Sequence, residues 1–306
     1  MPVEPPGFKR QRSDEDLGGE VPGRSSGDPP HVTAIESYLN TMPDLEEKYW
    51  ARRVELEKLS EFGAFKLVPT AAARGKPLYH FTWVETVKDG GAKARFTVAD
   101  VKTEKGIAGF RGDCFSPTPS AAAGRIFEAY ALKTGNWTQT GDVIAAYPHA
   151  AETEECYVRC PKEFLQAMCE QIQAGQRHDY KEEDLQKADQ WVLKLEANVY
   201  GRRPAGNKWR KHFEEVLLAT SLTQFRRLDH EPCMFLCDIT GVLVLHHVDD
   251  FRVCGGEREM QNVVQYLQRQ FWVKLGPVEK PGVESKFLGK PRYGPRTASS
   301  RFRTRS

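Results

Sequence analysis

The stretch that most constrains the fold is Gly241 to Cys254, GVLVLHHVDDFRVC. Val242 to Leu245 is an apolar run too short for an independent helix and partly β-branched, which predicts a buried strand. Asp249-Asp250 then falls where the chain must turn, and a second short strand leads into Gly255-Gly256. An Asp-Asp pair at a turn is ordinarily solvated turn chemistry. What raises it here is Asp142, in Gly141-Asp-Val-Ile-Ala-Ala-Tyr147, which also sits at the end of a predicted strand.

Two acids held side by side, with a third brought in from another strand, repel one another. At about 4 Å and an effective dielectric near 20, each pair costs on the order of 4 kcal/mol. A bound divalent cation offsets that cost. Carboxylates without His or thiolate partners favour a hard ion such as Mg²⁺, which keeps few protein ligands and lets phosphates complete its shell. Two such ions about 3.5 to 4 Å apart are the apparatus of in-line nucleotidyl transfer.

The rest of the composition narrows the class. A chain of 306 residues can hold one large or two modest domains. Its formal charge of +2 does not by itself demand a polyanion partner, although Lys290 to Ser306 carries six Lys or Arg and no acid. Seven cysteines and no secretory signal predict reduced thiols in an intracellular, non-secreted protein. Cys156 with Cys160 and Cys233 with Cys237 share a spacing compatible with zinc, but neither has neighbours completing a four-ligand set, so core cysteines are the favoured reading. No apolar run approaches the roughly 18 to 20 residues of a membrane span.

In chain order, residues 1 to 44 are rich in Pro, Gly, Ser and charge and predict a disordered segment. A helix is expected from Asp44-Leu-Glu-Glu to Phe62, with Leu45, Tyr49, Leu56 and Leu59 at helical spacing. LYHFTWVETV and KARFTVADV, joined by Lys88-Asp-Gly-Gly91, read as a β-hairpin. Lys93 and Arg95, two apart on its second strand, share a face that is either solvated or a phosphate grip. Phe115-Ser-Pro-Thr-Pro-Ser120 introduces an Ala-rich helix to about Lys133, followed by a strand from Trp137 to Val143. Glu152 to Lys162 suggests a strand pair, and Glu163 to Trp191 an exposed helical insertion. Asn198 to Leu218 holds a turn and then an amphipathic helix with Trp209, Phe213, Val216 and Leu217 on one face. Cys233 to Cys254 supplies three short strands, Glu257 to Phe271 a helix, and Val283 to Lys290 a last strand. This order predicts an α+β fold rather than a parallel doubly wound sheet.

Taken together, KARFTVAD (93 to 100), FSPTPSAAA (115 to 123), GDVIAAYPHA (141 to 150), YVRCPKEF (157 to 164), KLEANVYGRRPAGNKWRKHF (194 to 213), HHVDD (246 to 250) and KFLGK (286 to 290) resemble the reverse transcriptase of copia-type LTR retrotransposons. The blocks run in the family's order. The resemblance implies a right-hand polymerase with fingers at about 45 to 117 and 148 to 195, palm at about 118 to 147 and 196 to 290, a missing thumb, and a basic disordered tail at 291 to 306.

It further implies an RNA-directed DNA polymerase that adds dNTPs to a primer on an RNA or DNA template. Asp142 and Asp249 would bridge two Mg²⁺ ions, with Mn²⁺ as a substitute. Asp250 would complete the triad and the Val143 carbonyl would add a ligand. Lys93 and Arg95 match the residues that clamp the triphosphate, and Tyr147 matches the aromatic gate that excludes a ribose 2′-hydroxyl. Gly201, Ala205 and Gly206 match the loop that lets backbone approach nucleotide and template. Leu288 and Gly289 fall in the primer-holding hairpin. Two positions depart from the commoner family pattern: His247 stands where an aromatic residue usually precedes Val-Asp-Asp, and Pro204 where many members have Gln. Ribonuclease H and integrase are not expected in this chain, and a silent nucleic-acid-binding remnant is the alternative function.

Overall fold

The computed structural model describes residues 44–88, 91–103, 112–219, 224–279, 284–287 and 290–293. Within them helix α1, Leu45–Glu61, begins where Asp44 accepts a hydrogen bond from the Glu47 N–H at 2.7 Å, an N-cap that satisfies an otherwise orphan donor. Its Leu56 and Leu59 are buried against strands β1, Phe65–Pro69, β2, Leu78–Lys88, and β3, Gly91–Thr103. Helix α2, Ala121–Thr134, is capped in the same way by Ser120. Strand β4, Trp137–Val143, carries Asp142. Then follow β5, Tyr157–Arg159, α3, Lys162–Gln173, the short α4, Glu182–Leu185, β6, Trp191–Leu195, and α5, Ala205–Ala219. The remaining elements are β7, Phe225–Leu228, β8, Glu231–Cys237, β9, Leu243–His247, β10, Asp250–Gly255, α6, Glu257–Gln270, β11, Val273–Glu279, and the paired β12, Glu284–Phe287, and β13, Lys290–Tyr293.

The strands form two main sheets and a small hairpin, so the α+β expectation holds. The first sheet has the order β1-β6-β5-β2-β3, with β2 and β5 its parallel pair. The second is antiparallel throughout, in the order β11-β4-β10-β9-β8-β7. Helix α6 returns the chain from β10 past β4 to β11, a split β-α-β unit, while α5 leads to β7 at the far edge, from which β8 and β9 step back toward β10. The β7–β8 hairpin extends the edge of the sheet.

Alternation along the strands of the second sheet decides which layer each residue joins. Phe251, Val253 and Val244 face α5 and α6, where they pack with Trp209, Phe213, Leu217, Met260, Val264 and Leu267. The opposite residues, Leu243, Leu245 and Cys254, meet Ala123, Phe127 and Ala131 of α2. Gly141 is required by the first layer: a Cβ there would lie 2.2 Å from the Phe251 ring, its direct cross-strand neighbour.

Two sequence expectations are corrected. The strand pair expected over Glu152 to Lys162 is a single three-residue strand that runs into α3, because Pro161 and Lys162 open a helix. The segment from Glu163 is exposed only in its second half, where residues 173–190 are exposed or half-buried apart from Leu185, while α3 is packed. Leu165 and Met168 of α3 and Leu185 of α4 are buried in the core beneath the first sheet, and only the opposite face of α3 is solvated.

Candidate active site

Asp142 and Asp250 are direct cross-strand partners on β4 and β10. The same register places His247 opposite Asp250 and Lys274 opposite Asp142, so one row crosses four strands as His247, Asp250, Asp142 and Lys274. Paired residues of antiparallel strands project from the same face. This is the face on which α2 covers Leu245 and Cys254. The acid row lies farther along it, where Asp142 is exposed and Asp250 half-buried.

Asp249 belongs to the two-residue connection between β9 and β10, since His247 pairs with Asp250. Val248, the other residue of that turn, has φ +54. Positive φ at the first central residue suits a hairpin whose strands twist normally, but a β-branched side chain there costs about 1–3 kcal/mol. The turn is held by its own carbonyl. The Val248 oxygen accepts from Trp209 Nε1–H at 2.5 Å and from His246 Nε2–H at 2.8 Å. His246 is wholly buried and stacked on Phe213 at 3.8 Å and 4°, and burial pushes its pKa down to about 3. The ring is therefore neutral, and its one N–H is committed to the turn. A second tether fixes the turn sideways: the Val143 N–H donates to the Asp249 carbonyl at 2.7 Å, joining the residue after Asp142 to the residue before Asp250.

The electrostatics record the result. Burial, then Asp249, then Asp142, raise the Asp250 carboxyl from 3.8 to about 6. Three carboxylates thus share one field. The chemistry of three carboxylates fits a hard divalent cation. Among the described residues no group of three or more His, Cys, Asp or Glu side chains is itself arranged to enclose an ion. His247 Nδ1 is buried with no hydrogen-bond partner among the described residues.

Asp249 and Asp250 line a cleft of about 570 Å³ with His247, Val248, Ala146, Tyr147, Tyr200 and Arg95. Tyr147 reaches it because the chain after β4 turns at once: Ala145 takes φ +52 and Ala146 φ −51, ψ −47. Such a left-then-right alternation turns successive N–H groups toward one side, a geometry suited to anions. Burial and Asp249 raise the Tyr147 hydroxyl above its usual value, so it is a neutral donor. Arg95 arrives from β3 with its guanidinium carbon 5.3 Å from the centre of the Tyr200 ring.

The other sequence candidates separate. Lys93, exposed and two residues before Arg95, lines a neighbouring groove of about 520 Å³ between α1 and β3 with Trp50, Val54 and Glu55. Gly201 has φ +83, and a Cβ there would stand 2.1 Å from the Val98 carbonyl oxygen. The demand for a small residue at that position is therefore internal, made by β3. Ala205 is buried at the start of α5, its N–H bonded to the Arg202 carbonyl at 3.1 Å, and Gly206 faces Ser116. Leu288 and Gly289 lie outside the described residues. Sequence reasoning had no role for Tyr200 or for the carbonyl clamp at Val248. Tyr200 shows in the sequence only as an aromatic before a glycine, and His246 only as one of two identical neighbours.

No family model matches the sequence, and no curated protein matches it. Among solved structures it is similar to apo telomerase from Candida tropicalis truncated from the C-terminal domain, at 12% identity and a TM-score of 0.37, over 80% of this chain and 58% of that one. The chain thus spans little more than half of that structure, and the likeness is too distant to bear on function.

Proposed function

We propose that the chain is the fingers and palm of a copia-type reverse transcriptase, an RNA-directed DNA polymerase working with two Mg²⁺ ions, or Mn²⁺ in their place. The observation that carries the reading is the pairing of Asp142 with Asp250, with Asp249 tied beside them by the Val143 N–H. The ordered run of sequence blocks supports it independently. The first sheet and α1 correspond to fingers, and the split β-α-β sheet to palm.

Asp142, Asp249 and Asp250, with the Val143 carbonyl, would hold the ions. When bound there, Mg²⁺ supplies an activated primer 3′-hydroxyl and neutralises charge on the phosphates. The chain's own part is positioning. Arg95, with Lys93 beyond it, attracts the triphosphate, and the N–H groups around Ala145 and Ala146 offer it donors. Tyr147 occupies the space a 2′-hydroxyl needs and so selects deoxynucleotides by exclusion. By the sequence blocks alone, Gly201, Ala205 and Gly206 mark the loop that lets backbone approach nucleotide and template, and Leu288 and Gly289 the primer-holding hairpin. The partners are a primed RNA or DNA template and dNTPs.

The test is primer extension on an oligo-rA template with oligo-dT and Mg²⁺, comparing the chain with Asp249→Asn. Extension by the unaltered chain and background from the variant is the expected result. Equal signal from both removes the enzyme reading and leaves a nucleic-acid binder.

A further inference from the structure

We infer that Tyr200 is a positioning residue that locks the triphosphate-facing Arg95 and the sugar-facing Tyr147 into one fixed relation across the cleft. The inference rests on the polymerase reading above and adds a residue that reading does not need.

The Tyr200 ring stands between the two others. Its centre is 5.1 Å from that of Tyr147 at 64°, an edge-to-face contact, and 5.3 Å from the Arg95 guanidinium carbon. Edge-to-face aromatic pairs and cations over ring faces are both favourable and both orient their partners. Tyr200 itself is held from behind. Its carbonyl accepts from the Val98 N–H at 2.7 Å, and Gly201 beside it runs so near β3 that a Cβ would stand 2.1 Å from the Val98 carbonyl oxygen. Val98 lies on β3, three residues beyond Arg95. One rigid ring therefore bears on two side chains: Arg95, exposed on a long flexible stem, and Tyr147, half-buried in the turn after β4, where it also packs against the second core.

The arrangement couples two selections. Arg95 reads phosphate and Tyr147 reads sugar, and each leans on the same support. Losing the ring should disturb both at once, whereas losing either partner disturbs mainly its own. The ring faces and edge do this work, so the hydroxyl is dispensable.

The experiment measures steady-state primer extension with dTTP and UTP for the unaltered chain, Tyr200→Ala, Tyr200→Phe, Arg95→Ala and Tyr147→Ala. Tyr200→Ala should raise KM for dTTP roughly three- to tenfold, the range such contacts are worth. It should lower deoxy-over-ribo discrimination by a similar factor and leave kcat for dTTP within about twofold. Tyr200→Phe should restore both. Arg95→Ala should move mainly KM and Tyr147→Ala mainly discrimination. If Tyr200→Ala changes neither, or lowers only kcat, or if Tyr200→Phe behaves like Tyr200→Ala, the inference is wrong while the polymerase reading stands. If the unaltered chain extends no primer, the polymerase reading fails and takes the inference with it.

Discussion

Asp250→Asn should make the protein more stable at neutral pH while removing the primer extension proposed for it. Asp250 is raised from 3.8 to about 6 by burial, Asp249 and Asp142, in that order. Two units at roughly 1.4 kcal/mol each is about 3 kcal/mol at full value, and solvent screening of a half-buried group reduces this to about 1 kcal/mol. Because the folded-state value lies above the unfolded one, the folded chain holds an extra proton between about pH 4 and 6. Stability therefore falls as pH rises through that window, and the full cost is present above it. Thermal unfolding at pH 7.5 should show Asp250→Asn melting about 2–4 °C higher than the unaltered chain. The gain should shrink toward pH 4, and millimolar Mg²⁺ should narrow it by stabilising the unaltered chain. Equal melting at pH 7.5, or a gain that does not vary with pH, would refute the picture of carboxylates crowded against one another.

Two other substitutions test the frame around the site. Gly201→Ala should cost at least about 2 kcal/mol, since its Cβ would overlap the Val98 carbonyl, whereas Gly135→Ala, also left-handed but with nothing within 4 Å, should cost about 1; equal melting shifts would mean that β3 does not press on that turn. Arg252→Met should cost about 3–5 kcal/mol by denaturant unfolding, because Glu279, fully buried and paired with Arg252, would be left without its cation, and adding Glu279→Gln should recover part of that loss.

The helices and strands that declared themselves in the sequence are those with one clear periodicity. The strand from Trp137 to Val143 and the helix after Ser120 lie where alternation and capping placed them. The helix from Lys162 is legible as a helix, but its packing is not, because its buried stripe, Leu165 and Met168, is narrow and its polar face wide. The acids were legible as residues at strand ends. Their mutual register was not, since a slip of one residue would send Asp142 to the opposite face without altering the pattern of either strand. Nor could the sequence divide the labour of His246 and His247: one is sealed against Phe213 holding the turn, and its neighbour faces Asp250. At Gly201 the sequence suggests a small residue beside template and nucleotide, whereas the requirement visible in the structure comes from the Val98 carbonyl of β3.

The most direct test of a shared pocket for Asp142, Asp249 and Asp250 is a Mn²⁺ titration followed by electron paramagnetic resonance, with primer, template and an unreactive deoxynucleotide present. The unaltered chain should take up Mn²⁺ tightly, and Asp142→Asn and Asp249→Asn should each weaken that uptake even though one lies on β4 and the other in the turn between β9 and β10. Mn²⁺ uptake that is the same in all three proteins would contradict it.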